Sequence, residues 1–267
     1  MKKFVFSAVA LLLIIIYPLC NLISMSSNKS KPSESASEGL SVVEQLEKVS
    51  VETADKAVKA AEKKREDVAN RQSANSLVED QIKQIEKGKL SYRKVFSKVY
   101  IAGDSLMNGL EAYGILNSNH LFTQVSASLY HLEGVMSSII AVRPPVLILH
   151  YGLNMIGDQQ YHVDSFITQY TKDIKSLKKQ LPDTRIIVSL LFPVDTSVAT
   201  AKRFKYVSRY NKRLIEMCKQ LKVEYLDSSP VFKGHNEFYG ADGIHLSASF
   251  YSKYWLKYIM REMEIYA

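Results

Sequence analysis

A serine, an asparagine and an aspartate–histidine pair stand in three short segments that lie far apart along the chain. The segments are Gly103-Asp104-Ser105-Leu106, Gly152-Leu153-Asn154 and Asp242-Gly243-Ile244-His245. A serine hydroxyl becomes a good nucleophile when a base removes its proton, the base needs a partner that holds its tautomer, and the developing oxyanion needs hydrogen-bond donors. Ser105, His245, Asp242 and Asn154 supply one residue for each of these roles. The set therefore indicates acyl-transfer chemistry.

The elements that would bring these residues together are short strands alternating with longer helices. Apolar, β-branched runs predict strands at 99–102, 122–125, 146–151, 186–192 and 223–226. Helical patterns follow at 106–116, 133–142, 163–181, 201–221 and 246–263. This alternation predicts an α/β fold, a doubly wound three-layer α/β/α sandwich with a five-stranded parallel sheet. Because ligands bind beyond the carboxyl ends of parallel strands, Ser105, Ser126 and Asn154 are expected at one edge.

The same motifs resemble those of the SGNH (GDSL-type) hydrolase family. The resemblance covers about Val95 to the C-terminus and rests on KVYIAGDSLMNGL, HYGLNM, SLLFPV and DGIHLS. It implies an SGNH or flavodoxin-like fold and an esterase whose nucleophile is Ser105. His245 and Asp242 complete the implied catalytic triad.

Two positions depart from the family pattern. Met155 stands where the family usually has an aspartate after the asparagine, and the glycine expected after the second strand is not evident in residues 122–128. The oxyanion donor there is normally a backbone N–H, so Ser126 can still provide it. The oxyanion hole is accordingly predicted to consist of Ser105, Ser126 and Asn154.

Aromatic residues and possible ligands of a cofactor complete the site predictions. The same edge is flanked by rings that fit either an apolar, sugar-stacking wall or core packing, and these substrate-binding candidates are Tyr151, Phe192, Phe238 and Tyr239. No metal-binding spacing such as HExxH or paired CxxC occurs in the sequence. We therefore predict no metal and no cofactor.

The N-terminus predicts a membrane anchor. An almost unbroken apolar run from Phe4 to Ile23 is long enough to cross a hydrocarbon core roughly 30 Å thick. A retained anchor is favoured over a cleaved signal peptide because no small-x-small site follows closely, and over a lipoprotein because no small residue precedes Cys20. Lys2 and Lys3 predict a cytoplasmic N-terminus. The rest of the chain is then extracytoplasmic, as in a bacterial cell envelope.

Composition divides the chain into four parts. The transmembrane signal-anchor at 1–23 is followed by a flexible, Ser- and Lys-rich linker at 24–39. Residues 40–91 contain no proline and show rough helical spacing of apolar residues, which predicts a helical stalk. An irregular apolar seam leaves a coiled-coil homodimer and a single solvated helix both open. The hydrolase domain is predicted at 92–267.

The net charge of +8 bears on the class of partner. The lysines are dispersed along the chain and no basic motif with interleaved aromatics occurs, so no nucleic acid is expected. The charge fits a protein that faces anionic lipid or cell-wall polymer, or a solvated basic surface.

The combined prediction is a membrane-anchored serine esterase. It would remove small acyl groups, acetyl first, from a carbohydrate or cell-envelope polymer through an acyl-serine intermediate. Two alternatives stay open. The same site could transfer the acyl group to a polysaccharide hydroxyl as an O-acetyltransferase, or the domain could be a non-catalytic binding or scaffold module on its stalk.

Overall fold

The structure, a computed structural model, describes residues 51–267. The predicted anchor, the linker and the start of the predicted stalk lie outside the described residues. Residues 51–67 belong to one unit of the chain, and Val68–Ala267 form a second, compact unit. Within residues 51–267, no helix has both the length and the apolar character of a membrane span.

Strands and helices alternate along the second unit. The strands are β1 (Val99–Gly103), β2 (Leu121–Thr123), β3 (Val146–His150), β4 (Arg185–Ser189) and β5 (Glu224–Leu226). The α-helices are α1 (Val51–Glu86), α2 (Tyr92–Val95), α3 (Ser105–Ala112), α4 (Leu129–Val142), α5 (Gln160–Gln180), α6 (Val207–Leu221) and α7 (Leu256–Glu262), and a π-helix (Phe250–Trp255) precedes α7. Short 3₁₀ turns occupy Ser118–His120, Leu153–Met155, Lys202–Tyr206, Ser229–Phe232 and Asn236–Phe238.

The five strands form one parallel sheet in the order β2-β1-β3-β4-β5, which confirms the predicted sheet. Gly103 of β1 is level with Thr123 of β2 and with His150 of β3. The chain reverses its direction of winding between β1 and β3, and a doubly wound sheet opens a crevice at that switch point. The carboxyl ends of β1, β2 and β3 therefore meet at the crevice.

Helices cover both faces of this sheet. Consecutive residues along β1, β3 and β4 are buried, as expected for parallel strands that are packed on each side. On one side α4 contacts α5, and α5 contacts α6. On the other side α3 contacts the π-helix, where the Tyr251 hydroxyl donates to the Leu106 carbonyl over 2.5 Å.

The last turns of α1 belong to the second unit. Val78 and Ile82 are 0% and 3% exposed and join the hydrophobic core. Glu79 forms an ion pair of 2.5 Å with Arg261 of α7. The compact unit thus begins at Val68, upstream of the predicted boundary at residue 92, because the apolar positions near the end of α1 are buried in this core.

The C-terminal helical segment starts later than predicted. The expected helix at 246–263 begins only at Ala248, since Leu246 forms an antiparallel bridge with Tyr239 and the Ser247 N–H donates to the Phe238 carbonyl over 2.8 Å. These bonds occupy the backbone that a longer helix would need. The loop that carries His245 is therefore held at both ends.

Candidate active site

Ser105 lies where β1 turns into α3. Asp104 caps the helix by accepting a 3.0 Å hydrogen bond from the Leu106 N–H through Oδ1. Ser105 is the first residue of α3, and the next three N–H groups, those of Leu106, Met107 and Asn108, all donate to Asp104. The helix dipole favours negative charge at this end.

Ser105, His245 and Asp242 are within hydrogen-bond distance in the order that a triad requires. His245 Nε2 lies 3.0 Å from Ser105 Oγ, and His245 Nδ1 lies 2.5 Å from Asp242 Oδ2. An ionised carboxylate accepts only, so Nδ1 carries the proton and Nε2 is left to accept the serine proton. In this arrangement His245 can accept the Ser105 proton, which is the step that makes a serine hydroxyl nucleophilic.

The Asp242 carboxylate is fixed and ionised. Its Oδ1 accepts 2.9 Å hydrogen bonds from the N–H groups of Ile244 and His245. Partial burial alone would raise the pKa of Asp242, but the hydrogen bonds from the His245 ring and from these two N–H groups outweigh it and lower the pKa to about 2. The side chain therefore remains an anion at any pH near neutrality.

Gly243 allows the histidine loop to approach the loop after β4. Its φ is +68°, and a Cβ at this position would lie 2.8 Å from the Asp195 carbonyl oxygen. The Asp195 N–H donates to the Gly243 carbonyl over 2.9 Å, and the Tyr239 hydroxyl donates to the Pro193 carbonyl over 3.0 Å. Residues 190–199, which we call the β4 loop, thus support the loop of His245.

Asn154 lies at the end of β3 in a 3₁₀ turn that starts after Gly152. The φ of Gly152 is +138°, and a Cβ there would lie 2.8 Å from the ring of Phe166. One amide hydrogen of Asn154 is donated to the Ala127 carbonyl over 3.0 Å. The amide is therefore oriented by the segment after β2, and its second hydrogen is available to an oxyanion.

Ser126 adopts a glycine-like backbone. Its φ is +60°, in the left-handed region that favours glycine. The structure therefore gives Ser126 the conformation for which the family's missing glycine would be suited. Met155, the other departure from the family pattern, accepts a 3.3 Å hydrogen bond through its sulfur from the Leu129 N–H. Met155 thus joins the turn of Asn154 to the start of α4.

The structure places most of the candidate substrate-binding rings in the core. Tyr151 and Phe238 are 0% exposed and Phe192 is 2% exposed, so none of them faces the site. Phe192 packs against the rings of Phe250 and Trp255. Tyr239 is half-buried, stacks on Phe232 and supports the β4 loop through its hydroxyl. These rings position the site and do not form the predicted wall.

Two buried titratable groups beside the site were not among the predicted site residues. Asp104 is 1% exposed, and within the described part of the chain its Oδ2 has no hydrogen-bond partner. Burial raises the pKa of Asp104 to about 6, although the Leu106 N–H and His245 act in the opposite direction. Burial lowers the pKa of His150 to about 3, and its Nδ1 lies 3.1 Å from Ser189 Oγ. Their position at strand ends was the only available signal.

Among residues 51–267, no group of three or more His, Cys, Asp or Glu side chains is arranged to hold a metal ion. The described site consists of a hydroxyl, an imidazole, a carboxylate and amide donors. These are sufficient for serine-based acyl transfer.

Comparison with known proteins gives one family. The GDSL-like Lipase/Acylhydrolase family matches residues 101–253, a range that contains Ser105, Ser126, Asn154, Asp242 and His245. No match was found among curated proteins.

The chain is similar to several solved structures at low sequence identity. The lipase/acylhydrolase from Enterococcus faecalis has a TM-score of 0.50 and 16% identity over 62% of this chain and 95% of its own. A GDSL-like lipase from Bacteroides thetaiotaomicron has a TM-score of 0.49 and 15% identity over 67% of this chain and 94% of its own. Axe2, an acetylxylan esterase from Geobacillus stearothermophilus, has a TM-score of 0.46 and 12% identity over 62% and 93%.

Proposed function

The chain belongs to the GDSL-like lipase/acylhydrolase family, and we propose that it is a membrane-anchored serine esterase that removes small acyl groups from an envelope carbohydrate. The observation that carries the catalytic part is the continuous hydrogen-bonded line from Asp242 through His245 to Ser105, with distances of 2.5 and 3.0 Å. A purely structural or binding role would not require this order of groups.

Acylation follows from this geometry. Ser105 Oγ attacks the ester carbonyl carbon while His245 Nε2 accepts the hydroxyl proton, and the carbonyl π electrons move onto the oxygen. When the tetrahedral intermediate collapses, the bond to the sugar oxygen breaks and that oxygen takes the proton from His245. The products of this half-reaction are the free sugar hydroxyl and acyl-Ser105.

Deacylation repeats the same steps with water. Water attacks the acyl carbon and gives a proton to His245, the bond to Ser105 Oγ breaks, and Oγ recovers the proton. The Asp242 carboxylate stabilises the imidazolium in both halves. Asn154 and the N–H groups of Ser105 and Ser126 are the proposed oxyanion donors, and one such donor is typically worth about 3–4 kcal/mol.

The openness of the site supports a small acyl group on a bulky alcohol. The side chains of His245 and Asp242 are 54% and 48% exposed, so a polymer can approach without entering a deep pocket.

The same openness favours acyl transfer to a sugar hydroxyl as a second candidate, since an acceptor can compete with water at acyl-Ser105. Gain of acetate by added oligosaccharide acceptors separates transfer from hydrolysis.

Ser105→Ala tests the proposed nucleophile. We expect turnover of p-nitrophenyl acetate to fall by at least about a thousandfold, because the hydroxyl forms the covalent bond. Labelling by a fluorophosphonate probe should also disappear. Ser91→Ala is the matched control, since Ser91 likewise stands at a helix N-terminus and caps α2 through its side chain. Wild-type turnover in the Ser105 variant would show that the nucleophile is another residue.

A further inference from the structure

A segment rich in lysine and arginine lies beside a groove next to the active site. Residues 202–222 contain eight lysines and arginines and one acidic residue, Glu216, in a chain whose net charge is +8. These residues form the 3₁₀ turn at Lys202–Tyr206 and helix α6. Most of the net positive charge of the molecule therefore lies in this segment.

A groove of about 720 Å³ runs between α6 and the segments that follow β4 and β5. Lys205, Lys212 and Lys219 line it at intervals of seven residues. Because seven residues are nearly two helical turns, Lys212 and Lys219 share one face of α6 and lie about 10 Å apart along it. The groove thus presents a row of cations at a regular spacing.

The charges in this row are only partly offset by acidic neighbours. The side chains of Lys212 and Lys219 have no ion-pair or hydrogen-bond partner among residues 51–267. Glu216 also lines the groove and lies 3.5 Å from Arg213, which makes a shorter ion pair of 2.7 Å with Asp164. Asp227 is the other acidic residue of the lining. Three lysines against two carboxylates leave the lining with one positive charge in excess.

The groove is joined to the catalytic loop by hydrogen bonds. The Asn211 side chain of α6 accepts from the Leu191 N–H over 2.8 Å and donates to the Leu191 carbonyl over 2.9 Å. Leu191 belongs to the β4 loop, whose Pro193, Val194 and Thr196 also line the groove. The same loop bonds to Gly243, between Asp242 and His245. A chain bound in the groove therefore lies against the loop that supports the catalytic histidine.

We propose that this groove binds the polymer that carries the ester, and that the polymer is an anionic glycan. This proposal rests on the esterase function proposed above and specifies its substrate. Negative groups repeated along the glycan would pair with the lysine row, while sugar rings would lie on the partly exposed apolar side chains of Val194 and Ile215. A nucleic acid fits less well, because base stacking needs open rings. Phe204, the aromatic residue of the lining, is 5% exposed.

The test compares two triple variants of the full chain, purified in non-ionic detergent. The first variant removes the lysine row by Lys205→Gln, Lys212→Gln and Lys219→Gln. The second is the control and removes three exposed lysines elsewhere by Lys98→Gln, Lys175→Gln and Lys179→Gln. The substrates are acetylated polygalacturonate and acetylated xylan, with each kcat/KM divided by that for p-nitrophenyl acetate. Loss of three exposed charge contacts should lower the polygalacturonate ratio by about three- to tenfold, through KM. The xylan ratio and the control variant should not change.

A binding measurement provides a readout besides activity. Unacetylated polygalacturonate should bind the Ser105→Ala protein, and binding should weaken with added salt and with loss of the lysine row. An equal effect of both triple variants, or no effect of either, would overturn the proposal. Tighter binding of single-stranded DNA with the same lysine dependence would overturn it in favour of nucleic acid. Absence of all ester hydrolysis by the wild type would instead contradict the esterase function itself.

Discussion

Single residues set the chemistry of this site, and Ser126 shows how a departure from the family pattern is accommodated. Its φ of +60° is a conformation that costs an L-residue about 1–2 kcal/mol. The cost is backbone strain, and the Ser126 N–H is one of the proposed oxyanion donors. The side chain itself has no assigned role in that function.

Ser126→Gly should therefore keep esterase activity and raise the free energy of unfolding by up to about 1 kcal/mol, because glycine relieves the strain but gains freedom in the unfolded chain. Urea unfolding and p-nitrophenyl acetate turnover measure the two effects. Ser126→Ala is the control, which should keep activity without the gain in stability. A large loss of turnover in both variants would assign the donor to the hydroxyl.

Asp104 gives a pH-dependent stability. The folded carboxyl keeps its proton up to a pH of about 6, whereas an unfolded aspartate releases it near pH 4. The folded state thus binds more protons between these values, and the contribution of Asp104 to the free energy of unfolding falls as the pH rises through them. Above a pH of about 6 the carboxyl is buried in its ionised form, which lowers the free energy of unfolding.

Asp104→Asn should remove this dependence while keeping the helix cap, since an asparagine oxygen also accepts the Leu106 N–H. From about pH 4 to about pH 6.5, we expect the stability of the variant relative to wild type to increase by about 2–3 kcal/mol. Urea unfolding across this range gives the difference. Asp183→Asn, at an exposed site, is the control, and its stability relative to wild type should not change over this pH range. The same result for Asp104→Asn would show that burial does not raise the pKa of the Asp104 carboxyl.

At the scale of elements, periodicity and turn position predicted the sheet and the strand ends that carry Ser105 and Asn154. The same signals could not distinguish a core ring from a substrate wall, because Phe192 follows a strand end in either case. A serine in the sequence does not indicate a left-handed backbone, so the conformation of Ser126 could not be predicted from the sequence. The lysine row is visible as a seven-residue spacing, but a charge run alone usually marks a solvated helix face.

Helix α1 illustrates the same limit, because apolar residues of a stalk and of a core look alike in the sequence. Ile82 is 3% exposed and Leu77 is 51% exposed. Ile82→Ala should therefore lower the free energy of unfolding by about 2–4 kcal/mol through loss of buried contacts. Leu77→Ala is the control and should change it by about 0.5 kcal/mol or less. Equal, small effects in urea unfolding would show that the end of α1 does not stabilise the second unit.

At the scale of the whole molecule, the proposed location and the proposed substrate agree. An extracytoplasmic esterase near a membrane surface meets envelope glycans, and a basic groove would collect the anionic ones. The coiled-coil homodimer through residues 40–91 stays a prediction.

The apolar run from Phe4 to Ile23 should keep the protein in the membrane fraction, with its N-terminal segment intact. Cell fractionation followed by N-terminal sequencing checks this expectation. Leu12→Lys combined with Ile15→Lys should move the protein out of the membrane fraction, because each charge costs about 2.5–3.5 kcal/mol at the centre of a span. A mature wild-type form that begins near Ser26 and is released from the membrane would contradict the anchor.

The π-helix after the loop of His245 accommodates one inserted residue. Phe250 and Tyr251 form a buried pair, and the next buried pair, Trp255 and Leu256, follows five residues later. In a regular α-helix that step would turn the second pair about 140° away from the core, and the wider π turn absorbs the difference. If exposed Lys253 is left out of the count, the buried residues fall at regular α-helical intervals. The segment is thus an ordinary amphipathic helix with a single insertion, held in phase by its aromatic rings.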